Sequence, residues 1–147
     1  MRSHYSMFGI NLLLSAIIMY LVMFSMIDTL SEFYNNLNTV YMVLMMVAPM
    51  GILMLLMMRS MYANQKLNLI LHGVFVALFV LGFAGMRAQL AIGDAQFLRS
   101  MIPHHSGAIL MCREASIADP EIVALCAQIQ QGQRAEIDQM KRILERY

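Results

Sequence analysis

Three apolar runs constrain this chain more than any other feature, because a helix of roughly 20 apolar residues crosses the hydrocarbon core of a bilayer. They extend from about Phe8 to Ile27, from about Thr39 to Met58 and from about Leu67 to Met86. The composition agrees: 60% of the residues are hydrophobic and 13% are charged, whereas soluble domains have roughly 45–50% apolar residues. We expect an integral membrane protein with three transmembrane helices in contact with the lipid bilayer.

The character of the sequence changes after Met86. From Arg87 onward charged residues become frequent and apolar residues become periodic. We therefore divide the chain into a membrane domain at 1–86, a linker at 87–93 and a helical-hairpin domain at 94–147. A tail of about 60 residues is near the lower size limit for a domain that folds alone.

The positions of lysine and arginine predict the orientation in the membrane. Arg2 precedes the first span, and Arg59 and Lys66 lie between the second and third spans. The loop between the first two spans has neither lysine nor arginine and contains Asp28 and Glu32. These positions predict a cytoplasmic amino terminus, with the first loop and the tail outside, on the periplasmic face of a bacterial inner membrane. The first run is too long for a cleaved signal peptide, so we expect it to be retained.

Methionine is over-represented, with 17 residues and no tryptophan. The spacing of three and four along the second span places a stripe of methionines on one helix face. Methionine is a flexible apolar filler of helix seams, and packing is the favoured interpretation. A ladder of thioethers for a soft cation such as Cu(I) or Ag(I) is the alternative. The stripe consists of Met42, Met46, Met50, Met54, Met57 and Met61.

The tail is predicted to be an antiparallel pair of helices. The first helix extends from Asp94 to about Ala118, with the Asp94 side chain capping its first turn. After a break, Asp119 is a suitable N-cap and Pro120 suits the first helical position of a second helix that ends near Glu145. Pro103 either bends the first helix or stands in the first turn of a later one.

The stretch "MIPHHSGAILMC" at 101–112 crowds nitrogen and sulfur donors onto the first tail helix. At about 100° per residue, His105 and Cys112 lie on its apolar face, toward the partner helix. His104 and Met111 lie together at the edge of that face, where a second subunit would complete a site. Two such half-bundles would form a four-helix bundle, so we expect a homodimer or larger homo-oligomer.

The antiparallel pairing brings the two cysteines of the chain together. It places Cys112 opposite Cys126 near the turn, and His105 opposite Gln133. The cysteines either form a disulfide, which persists outside the cytoplasm, or bind a metal as thiolates, and one state excludes the other. With His105 they would also offer three ligands to zinc, which is less favoured than copper.

The tail resembles the domain of unknown function 305 (DUF305) family of the ferritin-like superfamily. The resemblance covers nearly the whole tail and none of the spans. It implies an exported or membrane-anchored helical protein linked to copper or silver, with histidine and methionine as ligands. Cys112 departs from it, since many members have a small residue there. The matching residues are Asp94, Phe97, "MIPHH" at 101–105, Ala108, Met111, "DPEI" at 119–122, Gln133, Glu136, Ile137 and Met140. The ligands implied are Met101, His104, His105, Met111 and Met140.

Together these features predict an all-α, membrane-anchored protein that binds Cu(I) or Ag(I), because soft sulfur donors and imidazole suit these ions. Asp94, Gln133 and Glu136 are the predicted supporting residues around the ligands. In the alternative, Gln133 and Glu136 satisfy two packing histidines, and the protein is a structural or assembly subunit whose tail docks without metal.

Neither catalysis nor nucleic-acid binding is expected. The sequence has no nucleophile elbow and no phosphate-binding loop, and it lacks the Glu-x-x-His pattern of ferritin-like di-iron sites. A formal net charge of +1, without a basic run, provides no surface for a phosphate backbone.

Overall fold

The structure is a computed structural model that describes residues 2–147, and the side chains of residues 4–147. The described residues form helices and no strand, as predicted. A 3-10 helix at Leu30–Glu32 lies in the first loop. The five α-helices are α1 at Arg2–Val22, α2 at Leu37–Met57, α3 at Gln65–Ala88, α4 at Asp94–Glu114 and α5 at Pro120–Leu144.

Three of these helices are long and apolar enough to cross a membrane, as the sequence predicted. They are His4–Val22 within α1, and the whole of α2 and α3. The described chain divides into two compact units. The membrane unit comprises residues 2–22 and 38–91, and the loop–tail unit comprises residues 23–37 and 92–147.

Close helix packing forms the core of the membrane unit. Phe75 of α3 packs so near Gly51 of α2 that a β-carbon on Gly51 would lie 2.7 Å from the Phe75 ring. The ring of Tyr41 approaches Gly85 equally closely. Small residues permit such approaches, which drive helix association in lipid. The buried core residues are Phe8, Leu12, Ala48, Leu55, Tyr62 and Phe75.

The methionine stripe of α2 does not follow one buried seam. Met50 and Met54 pack against the core of the membrane unit. Met46 is exposed, and beyond them Met57 is 82% exposed. Packing therefore accounts for part of the stripe, and its outer members face the surroundings of the unit.

In the loop–tail unit, α4 and α5 lie antiparallel. Cys112 and Cys126 join them near the turn, and at the far end the Tyr147 hydroxyl donates to Asp94 Oδ2 at 3.1 Å. Their core consists of Leu98, Ile102, Ile109, Ile137 and Met140. Pro103 lies inside α4, which excludes a helix that begins at this proline.

The ends of the tail helices differ in part from the prediction. Asp119 caps α5 as predicted, and its Oδ1 accepts from the backbone N–H groups of Glu121 and Ile122 at 2.8 and 3.3 Å. The predicted cap by Asp94 is wrong, because Gly93 is the N-cap residue and makes no side-chain cap bond. The end predicted near Ala118 is also wrong. α4 ends at Glu114, since the chain reverses through non-helical backbone at residues 115–119.

Candidate metal site and adjoining charge cluster

His105, one of the predicted ligands, lies beside Glu136 of α5. Its side chain is 14% exposed, and Nδ1 lies 3.0 Å from Oε2 of Glu136. That distance suits an ion pair, although the angle is not that of a well-aligned hydrogen bond. Glu136 lies about one helical turn beyond Gln133, the predicted neighbour. Gln133 Oε1 is buried and accepts no hydrogen bond from the described residues.

The two adjacent histidines point in different directions. The centroids of the His104 and His105 rings are 6.1 Å apart, and their planes differ by 58°. Consecutive residues of a helix are separated by about 100° around its axis, so His104 is exposed while His105 is half-buried against α5. A metal ion on His105 would need its other ligands from elsewhere on α4 or from a second chain.

The three methionines implied as ligands lie in different environments. Met140 is buried among the core side chains, and Met101 packs against the same core. Met111 is 54% exposed. Met140 is therefore a packing residue in this structure, while Met111 is accessible and Met101 is half-buried one turn before His105.

Cys112 and Cys126 form a disulfide. Neither sulfur is a thiolate in this state, so the cysteines are not ligands here, and a zinc site with His105 would require their reduction. Within the described part of the chain, no group of three or more histidine, cysteine, aspartate or glutamate side chains is placed to hold a metal ion. The disulfide-bonded cysteines and the buried Met140 are not free to bind a metal in this structure, and His104 and His105 do not converge on one point.

Burial of His105 is expected to lower the pH at which its ring binds a proton. Burial lowers the pKa of His105 below its ordinary value of 6.5, and His104 lowers it further, while Glu136 opposes both effects. The folded chain therefore binds this proton at lower pH than the unfolded chain. This contribution to stability is complete above about pH 6.5 and decreases as the pH falls below it. NMR titration of the histidine rings should give His105 a midpoint below 6.5.

The substitution Glu136→Gln should lower that midpoint further, since it removes the charge that favours the imidazolium form. The His105→Asn variant identifies the resonance. A midpoint above the ordinary value, or one unaffected by Glu136→Gln, would contradict this account of His105.

A buried carboxylate anchors the first loop to the tail. The side chain of Glu32 is 1% exposed, and its Oε1 accepts from Nη1 of Arg134 at 2.5 Å. Its Oε2 accepts from Oγ of Ser106 at 2.5 Å and from the backbone N–H of Thr29 at 3.3 Å. Lys141 adds a positive charge, with Nζ 3.9 Å from Oε1. Buried charged side chains are normally paired in this way, because an unpaired charge is costly to remove from water.

Asp28 extends this cluster along the first loop. Its carboxylate pairs with Arg113 of α4, and its Oδ2 accepts from Nη2 of Arg134 at 2.5 Å. Its backbone N–H donates to Oγ of Ser106 at 2.6 Å. Ser106 therefore accepts a hydrogen bond from one loop residue and donates one to another. We call Asp28, Glu32, Ser106, Arg113, Arg134 and Lys141 the charge cluster.

Sequence reasoning missed the charge cluster. It used Asp28 and Glu32 only as evidence for orientation. The available signal was a pair of acids four residues apart in a loop without lysine or arginine. Such acids require cationic partners if the loop folds against the tail, and Arg113 and Arg134 lie on the two helices available.

Comparison with known proteins identifies a family for the tail. Residues 83–145 match the family described as "Domain of unknown function (DUF305)". Over 120 residues the chain is 33% identical to "Uncharacterized protein L153" of Acanthamoeba polyphaga mimivirus, which covers 80% of this chain and 77% of that protein. The chain belongs to the DUF305 family. No solved structure matches it.

The DUF305 match and the viral relative cover different extents of the chain. The match begins inside α3 and includes all of α4 and α5. An alignment of 120 residues is longer than the part of the chain after α3, so the likeness to the viral protein extends into the membrane unit. Asp28 and Glu32 lie outside the DUF305 match, while their partners on α4 and α5 lie inside it.

Proposed function

We propose that this DUF305 protein is a membrane-anchored binding protein for Cu(I) or Ag(I), with α4 as the metal-binding helix. The contact between His105 Nδ1 and Glu136 Oε2 at 3.0 Å is the observation that supports it best. In histidines that bind metals, the ring nitrogen away from the metal commonly faces a carboxylate. Glu136 occupies that position at Nδ1 without forming a well-aligned hydrogen bond, and Nε2 would be left for the metal. Imidazole and thioether donors together suit copper and silver.

The donors we assign are His105, His104, Met101 and Met111. All four lie on α4, and none is fully buried. The divergence of the two histidine rings favours completion of the site by a second copy of the chain. Exposed apolar side chains on the first half of α5 support such an assembly, since they offer a face for a four-helix bundle. These side chains are Ile122, Val123 and Leu125.

We propose an outward-facing tail in the bacterial inner membrane, with the amino terminus in the cytoplasm. The distribution of lysine and arginine supports this orientation. The disulfide between Cys112 and Cys126 supports it independently, because disulfides persist in oxidising compartments. The packing of the first loop on the tail is consistent with three crossings, which put these two segments on the same side of the membrane.

Removal of both histidines is expected to abolish metal binding. The purified full-length protein should bind Cu(I) or Ag(I) in a competition titration, and the His104→Ala/His105→Ala variant should not. Glu136→Gln should weaken binding by roughly 10-fold or more, because it removes the carboxylate that orients His105. His4→Ala is the matched control, since His4 is an exposed histidine in the membrane unit. Equal binding by the wild type and the double variant would refute the proposal.

A structural or assembly subunit is the second candidate, and the charge cluster favours it. The buried ionic contacts of the charge cluster hold the first loop to the tail, which is a structural role. Among the described residues, no group of three or more histidine, cysteine, aspartate or glutamate side chains is placed to hold a metal ion. In that case the wild type binds no more metal than the double histidine variant, and both assemble equally in light scattering.

If zinc rather than copper is the ion, binding should require reduction of the disulfide.

A further inference from the structure

An open cavity of about 780 Å³ lies in the membrane unit, where α2 ends and α3 begins. Its polar lining includes Arg59, Ser60 and His72. Its apolar lining includes Leu56 and Leu69, and both of these side chains are exposed. The cavity therefore combines a cationic edge with apolar walls at one end of two helices that are long enough to span a membrane.

Hydrogen bonds hold the polar side of the cavity in place. Oδ1 of Asn68, another lining residue, accepts from the Tyr5 hydroxyl at 2.8 Å. Its Nδ2 donates to the carbonyl oxygen of Tyr62 at 2.7 Å. These bonds tie α1, the loop after α2 and the start of α3 together, so the lining is preorganised for a ligand.

His72, which also lines the cavity, lies two helical turns into α3. Its Nδ1 lies 2.6 Å from the carbonyl oxygen of Asn68. A carbonyl only accepts, so Nδ1 is the donor in this contact. Nε2 is buried and has no hydrogen-bond partner among the described residues. Because Nε2 is out of reach of solvent, His72 serves as a fixed part of the cavity wall and not as a hydrogen-bond partner of a ligand.

We propose that this cavity binds the phosphate headgroup of an anionic phospholipid, such as phosphatidylglycerol. Arg59 meets the phosphate, and Lys66, in the first turn of α3, adds a second positive charge at the same end of the membrane unit. Basic pockets between transmembrane helices bind such headgroups. Leu56 and Leu69 contact the acyl chains, which a soluble phosphate lacks, and this favours lipid as the source of the phosphate.

The test is a lipid titration of the purified full-length protein in detergent, followed by native mass spectrometry. The wild type should bind phosphatidylglycerol more tightly than phosphatidylcholine. Arg59→Gln should weaken phosphatidylglycerol binding about fivefold, the effect of one cation near a headgroup, and leave phosphatidylcholine unchanged.

Arg87→Gln is the matched control, because Arg87 is an exposed arginine at the opposite end of α3. Circular dichroism verifies that each variant keeps its helix content. Equal losses in Arg59→Gln and Arg87→Gln would overturn the site, as would a wild type without preference for phosphatidylglycerol. Displacement of the lipid by millimolar inorganic phosphate would assign the cavity to soluble phosphate and overturn the lipid proposal.

Discussion

Replacement of Glu32 by glutamine is expected to destabilise the loop–tail unit by about 2–3 kcal/mol. The buried carboxylate bonds to Arg134 and Ser106, and the amide that replaces it carries no charge. Arg134 would then lose one of its two anionic partners. Removal of one member of a buried pair typically costs roughly 3–5 kcal/mol. The smaller value is expected here because Arg134 is 40% exposed and keeps its contact with Asp28.

Hydrogen exchange of the full-length protein in lipid nanodiscs measures this loss. Amides of α4 and α5 should exchange faster in the Glu32→Gln variant. Glu114→Gln is the matched control, because Glu114 is exposed and pairs with Arg113 at the surface, where an ion pair contributes roughly 0–1 kcal/mol. If both variants exchanged at the wild-type rate, the charge cluster would not stabilise the tail.

Reduction of the disulfide is expected to lower the stability of the same unit by about 3 kcal/mol. Cys112 and Cys126 are separated by 14 positions. Closing a loop of about 15 residues lowers the conformational entropy of the unfolded chain, which stabilises the folded chain by about 3 kcal/mol. Denaturant unfolding, followed by exchange of α4 and α5 amides, should shift to lower denaturant when a reductant is added.

The Cys112→Ser/Cys126→Ser variant separates this effect from other effects of the reductant. It should match the reduced wild type in stability and should not respond to the reductant. A metal titration in both redox states would also test the thiolates as ligands, because only the reduced wild type could use them. Identical stability of the oxidised and reduced proteins would contradict the expected contribution of the disulfide.

Local rules predicted much of the tail. The restart of the helix at Asp119 and Pro120 depends only on neighbouring residues, and capping chemistry predicted it correctly. The approach of Cys112 to Cys126 depends on the regular spacing of two antiparallel helices close to their turn, where small errors in register do not accumulate.

Contacts farther from the turn were less accessible to sequence rules. His105 contacts Glu136, which lies about one helical turn beyond the predicted neighbour Gln133, and pairing by a constant index sum does not give this contact. The contact between Glu32 and Arg134 spans 102 positions of the sequence. No periodicity or capping rule connects residues this far apart, so the charge cluster became visible only in the folded chain.

The hydrogen bonds of Ser106, the residue directly after His105, make the tail depend on the first loop, and this matters for the choice of fragments for study. A fragment excised at the boundaries of the DUF305 match would lack the first loop, and Ser106, Arg113 and Arg134 would face water instead of two carboxylates. A soluble version of the tail would therefore need residues 23–37 grafted back by a linker. Metal affinities measured on the isolated hairpin would describe an α4 that no longer contacts the first loop.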